Sequence, residues 1–303
     1  MLTLRTRLVR WALRAIVRPL FLRGTVHDWR RRWPSSRAPA DVRIEPAVGG
    51  DIRAEWLIPP EAGRTVIYYL HGGGFVMGSP GTHRRMMARL ARAAGSRALV
   101  LDYRLAPEHP FPAALDDCVA GYRWLSRHTR PSDIVIAGDS AGGNLALATL
   151  LVLRDAGEPL PAACVCISAA TDLSRSGASH RSRVADEVVL SPRFIRTVDE
   201  LYRGDADPRD PLASPLFADL HGLPPLLLHV GTHELLLDDT LRFADRARAA
   251  GVDVTLEVWP GLWHVFHTFV SLPEARRALD DIAAFARRRF ALAEVATASV
   301  SHR

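Results

Sequence analysis

Five short runs in this chain are apolar almost from end to end: Val66–Leu70, Ala98–Leu101, Ile134–Ala137, Ala163–Ser168 and Leu226–Val230. A strand with one wet face alternates apolar and polar residues, so runs without a polar face belong to strands covered on both sides. Helix-like stretches lie between and after them at Arg84–Ala94 (closed by Gly95), Pro112–His128, Asn144–Ala156, Pro192–Tyr202, Asp238–Ala250 and Glu274–Phe290. Val42–Glu45, Ile52–Leu57 and Val254–Val258 read as further strands, and the tail after about Ala291 as frayed. The alternation predicts an α/β fold with a mostly parallel central sheet and helices on both faces. At 303 residues there is room for one large domain with an attached subdomain, or for two small domains. Asp172 to Pro225 breaks the rhythm: it holds no strand and is rich in Asp and Pro, as expected of a lid.

The charge is unevenly placed. The first 37 residues hold ten arginines against the single acid Asp28, a net of +9; the whole chain is +6, so the remaining 266 residues sum to −3. The body is therefore not basic, and no nucleic-acid partner is expected. Within the N-terminal segment, Arg7, Arg10, Arg14 and Arg18 recur at three- and four-residue steps, predicting a basic amphipathic helix from Met1 to about Arg23 whose apolar stripe includes Leu8, Trp11, Leu13, Ile16, Val17, Leu20 and Phe21. Arginines interrupt every candidate apolar core, so neither a secretory signal nor a spanning segment is expected there. A cytoplasmic protein is expected. Two readings of residues 1–23 stay open: a cap helix over the active site, or a helix in peripheral contact with anionic lipid. Cys118, Cys164 and Cys166 suggest buried thiols, with Cys164 and Cys166 expected on opposite faces of a strand, and no Cys or His spacing suggests a metal.

Chemistry concentrates at three places. Gly138-Asp139-Ser140-Ala141-Gly142 fits G-x-S-x-G, with a strand before it and a helix after it, the context in which a serine is held on a sharp turn as a nucleophile. By itself the pattern also fits a tight turn; the flanking elements and Gly143 favour the nucleophile. His71-Gly72-Gly73-Gly74-Phe75 follows strand Val66–Leu70, where missing side chains let backbone amides approach a substrate carbonyl. Gly73, Gly74 and Ala141 are the expected oxyanion donors. The third place lies late in the chain, where a triad acid and base belong in the order Ser, acid, His. His264, just past Val254–Val258, is the candidate base, with His267 its nearest rival; His71, His229 and His233 read as structural or loop groups. Glu234, three residues past Gly231, is the favoured acid. Asp238 and Asp239 are the other candidates, although Asp238 reads better as an N-cap.

Together these motifs, with Asp102-Tyr103-Arg104-Leu105-Ala106-Pro107-Glu108, resemble the bacterial hormone-sensitive-lipase family of esterases in the α/β-hydrolase superfamily. That family's acid loop usually reads G-x-x-D-x-L-x-D; here Gly231, Glu234, Leu236 and Asp238 stand at those places, with Glu for the first Asp. The resemblance implies a catalytic domain over about 46–303, and a helical cap built from residues 1 to about 45 and about 172–215. It also implies that Asp102–Glu108 braces the oxyanion loop. The expected activity is cofactor-free hydrolysis of short- to medium-chain acyl esters through an acyl-enzyme, with a homodimer common. Deacetylation or amide hydrolysis of small molecules would use the same residues. Hydrolase-fold receptors that bind without catalysis typically lack the triad His, and His264 argues against that reading.

Overall fold

The computed structural model describes residues 2–19, 24–33, 35–49 and 52–300. Leu20, Phe21 and Arg23 of the expected N-terminal helix lie outside them. Eight strands form one sheet: β1 Arg43–Gly49, β2 Ile52–Ile58, β3 Val66–Leu70, β4 Arg97–Leu101, β5 Ile134–Asp139, β6 Ala163–Ile167, β7 Leu226–Gly231 and β8 Val254–Trp259, in the order β1-β2-β4-β3-β5-β6-β7-β8. β1 and β2 run antiparallel to their neighbours, and the remaining pairs are parallel. β1 extends past the expected Glu45 and carries Pro46, which an edge strand tolerates because one row of its amides needs no partner.

The helices are α1 Leu4–Ala12, continued by a π-helical stretch Leu13–Val17, then α2 Val26–Arg32, α3 Pro80–Ala94, α4 Ala113–Ser126, α5 Ala141–Asp155, the short α6 Ser179–Ser182, α7 Pro192–Arg203, α8 Leu237–Ala249 and α9 Pro273–Val300. Successive side chains of a strand point to opposite faces. Ile67, Tyr69, Val135 and Val165 meet α3 and α9, while Tyr68, Leu70, Ile136 and Cys166 meet α4, α5 and α8. Each large apolar side chain buried this way contributes about 1.5–3 kcal/mol. The same periodicity corrects one expectation. Cys164 and Cys166 are two residues apart, so they share a face, and their sulfurs lie 3.6 Å apart as free buried thiols.

Other differences are local. α3 starts a turn before Arg84 because Ser79 and Thr82 form a capping box with Pro80 at the first helical position. α2 is opened by a Thr25–Asp28 capping box. α9 runs through Ala291 to Val300, in an alanine-rich stretch of high helix propensity, instead of fraying there. Among the described residues no helix is long and apolar enough to cross a membrane.

Candidate active site

The sheet aims its catalytic candidates at one end. Ser140 follows β5, Glu234 follows β7, His264 follows β8, and the glycine loop follows β3. Ser140 has φ 53° and ψ −118°, a left-handed conformation that a residue with a Cβ holds only where its surroundings enforce it. They do so by close approach. Its amide donates to Ile167 O at 2.8 Å, and a Cβ on Gly142 would run into the carbonyl oxygens of Leu70 and His71.

His264 Nε2 stands 2.9 Å from Ser140 Oγ, and its Nδ1 stands 3.0 Å from Glu234 Oε2. The other carboxylate oxygen of Glu234 accepts from the Gly231 amide at 2.5 Å and from Ser168 Oγ at 2.8 Å. Ser168 Oγ in turn accepts from the amide of Val265 at 3.3 Å, so one hydroxyl joins the acid to the residue beside His264. Burial depresses the imidazole pKa of His264. The Glu234 hydrogen bond and charge, with smaller pulls from Glu187 and Asp139, outweigh it and hold the ring above its ordinary value.

The rival residues go elsewhere. His267 Nε2 meets His229 Nδ1 at 3.2 Å, and burial keeps both rings far below the usual histidine range. Asp238 accepts from the Ser179 amide at 2.9 Å and lies inside α8, whose N-cap is Leu236; the expected capping role of Asp238 is therefore corrected.

Gly73 has φ +130° and Gly74 φ +61°, and a Cβ on Gly73 would strike the Met77 carbonyl. No hydrogen bond among the described residues engages the amides of Gly73, Gly74 or Ala141, and all three residues line the cavity that holds Ser140. The loop is braced from behind. Tyr103 donates to His71 O at 2.6 Å, Ala106 to Phe75 O at 3.0 Å, and Arg30 ties Glu108 to the carbonyls of Val76 and Ala106. Asp139 Oδ1 accepts from Tyr69 at 2.6 Å and Gly72 at 2.9 Å and lies 3.3 Å from His83 Nε2. Burial raises this carboxyl, but the His83 charge and the hydrogen bonds bring it to about 2.

The cavity measures about 480 Å³. Leu13, Val17, Trp29, Phe194, Ile195 and Val198 line it together with Ser140, with Trp29 edge-on to Phe194 at 4.8 Å.

A family profile for the alpha/beta hydrolase fold matches residues 67–268. The chain is 48% identical over 240 residues to an acetyl-hydrolase of Streptomyces hygroscopicus, spanning 78% of this chain and 80% of the relative. It is 39% identical over 248 residues to an esterase of Acinetobacter venetianus, spanning 81% and 82%. A solved esterase of the bacterial hormone-sensitive lipase family superposes with a TM-score of 0.90 at 44% identity, over 96% of this chain and 100% of that one. The chain belongs to the bacterial hormone-sensitive-lipase esterase family. It is a carboxylic ester hydrolase, and its substrates are small-molecule esters.

Several residues supporting the site of this esterase carry no sequence signal, Glu187 among them. Glu187 is fully buried; its Oε1 accepts from the amides of Val188 (2.8 Å), Val189 (2.8 Å) and Leu190 (3.3 Å), and its Oε2 from Leu235 (3.2 Å), next to Glu234. It thus ties the pocket wall at Val189 and Leu190 to the acid loop. Burial raises its pKa, His264 pulls it back, and Glu234 adds to the rise. A protonated His264 cannot accept the Ser140 proton, so kcat/KM should fall as pH drops through a value above the ordinary histidine pKa. Glu187→Gln removes one of the anions holding that value up and should move the acidic limb to lower pH. A pH–rate profile measures both; an unmoved limb would reduce Glu187 to a scaffold role.

Proposed function

We propose that this esterase cleaves short- to medium-chain acyl esters with Ser140 as nucleophile, His264 as general base and Glu234 as the acid that orients it. The observation that carries the reading is the continuous hydrogen-bonded path from Ser140 Oγ through both ring nitrogens of His264 to Glu234. His264 takes the Ser140 proton as Oγ bonds to the ester carbonyl carbon. The oxyanion forms among the amides of Gly73, Gly74 and Ala141, the last at the positive N-terminus of α5. Collapse breaks the bond to the alcohol, which leaves with the proton from His264. Water then gives His264 a proton as it attacks the acyl carbon, and the bond to Ser140 Oγ breaks as Oγ takes that proton back and the acid is released.

Residues 1 to about 45 and about 172–215 act as the cap that shapes the acyl pocket. An apolar cavity of about 480 Å³ suits small esters. The Streptomyces relative's name supports a second reading on the same residues, removal of acetyl groups from small molecules. A homodimer belongs to the same proposal, because β8 ends the sheet with Val258 39% exposed; sedimentation velocity measures it. The chemistry is tested by kcat/KM on p-nitrophenyl esters from two to sixteen carbons. The expected maximum lies among the short and medium chains, with a steep fall at sixteen. No turnover of any ester would overturn the catalytic reading, and a maximum at sixteen would overturn the substrate class.

A further inference from the structure

The first helix has two apolar faces, and the fold uses one. Inward, Leu2, Val9, Leu13 and Val17 pack on the cluster of Trp259, Trp263 and Phe266, and Leu13 and Val17 also line the cavity. Its orientation is fixed: Thr6 Oγ1 donates to Glu274 at 2.7 Å, Arg10 to Asp186 O at 3.2 Å and Arg18 to Val184 O at 2.9 Å. Outward, Leu4, Leu8 and Trp11 are 73%, 59% and 70% exposed, at the spacing of one helix face. Ile16, 62% exposed, comes five residues after Trp11, the step that returns to the same face across a π turn. Seven large apolar side chains are exposed among the described residues, and four of them form this one ridge. Arg5 flanks it on one side and Arg7 and Arg14 on the other, all three exposed.

We propose that this ridge is a docking surface for an anionic lipid membrane. Leu, Trp and Ile flanked by arginines are what a helix needs to lie in the interface, its apolar side chains among acyl chains and its guanidinium groups at phosphates. The charge of the whole chain favours one orientation, since residues 1–37 carry +9 and the rest −3. A second copy is a poor occupant of the same face, because two such segments would bring like charges together. Docking puts the Leu13 and Val17 wall of the cavity about 10–12 Å, one helix diameter, from the lipid surface. Lipid binding itself does not depend on the esterase reading.

The full chain is floated with vesicles of phosphatidylcholine, alone or with one third phosphatidylglycerol. Binding is expected to the anionic vesicles and to weaken with salt. Leu8→Ser/Trp11→Ser should lower the partition coefficient by about tenfold or more, while turnover of soluble p-nitrophenyl butyrate stays unchanged. Arg7→Gln/Arg14→Gln should lower it by about thirtyfold. Absence of binding to the anionic vesicles, or equal binding by the variants, overturns the proposal. So does sedimentation showing that Leu8→Ser/Trp11→Ser converts a dimer to a monomer without changing lipid binding. Loss of hydrolysis by the wild-type chain would strike the esterase reading and leave the flotation result standing.

Discussion

Ser140→Ala should slow hydrolysis of p-nitrophenyl butyrate by on the order of 10⁵–10⁶-fold and leave the folded protein intact. The substitution deletes the one oxygen that forms the acyl bond. It leaves the amides of Gly73, Gly74 and Ala141 and the cavity in place, so a residual acceleration over water of about 10³–10⁴ should persist from binding and oxyanion stabilisation. Alanine is no worse than serine at φ 53°, since both carry a Cβ. The amide of residue 140 keeps its bond to Ile167 O, and thermal unfolding should stay within about 1 kcal/mol of wild type. Kinetics, a melting curve and labelling by a serine-directed fluorophosphonate test this together. A variant that hydrolyses within tenfold of wild type, or still takes the label, would remove Ser140 from the nucleophile's role.

Much of this fold was legible because its signals are local. β3 to β7 lie where the five apolar runs stood, and β2 and β8 where shorter mixed runs did, with turn residues bounding most of them. The glycines of 71–74 and 138–143 revealed themselves for a related reason: backbone must meet backbone there, and only sequences without side chains permit it. Ser168, Glu187 and His83 were silent because each acts through a contact that crosses long stretches of chain. Ser168 reaches Glu234, Glu187 reaches Leu235 from within the segment after β6, and His83 reaches Asp139 from α3. No spacing rule in a single sequence encodes such pairs.

The N-terminal segment shows the converse. Its arginine periodicity was plain, and it suggested one basic stripe facing one apolar stripe. The structure divides the arginines instead, turning Arg10 and Arg18 inward onto carbonyls and leaving Arg5, Arg7 and Arg14 exposed. The π-helical stretch shifts the register between Trp11 and Ile16, which a fixed 3.6-residue period cannot anticipate.

Glu234→Gln should lower kcat/KM by about 10³–10⁴-fold, against a change of less than about tenfold for Asp238→Asn. The asymmetry follows from the hydrogen bonds. Glu234 Oε1 accepts from both Gly231 N–H and Ser168, so a glutamine there must keep its carbonyl oxygen on that side. Its NH₂ then points at His264 Nδ1, which has to accept, and the ring proton is forced onto Nε2, facing Ser140. A base protonated on that nitrogen cannot take the Ser140 proton, and the imidazolium that forms in the reaction loses its counter-charge. The same loss removes the largest influence raising the His264 pKa, so the remaining activity should show an acidic limb at lower pH than wild type. Asp238→Asn keeps an oxygen able to accept from the Ser179 amide and touches none of these groups. Steady-state kinetics of the two variants across pH decide the assignment: a near-wild-type Glu234→Gln beside a crippled Asp238→Asn would move the acid to Asp238.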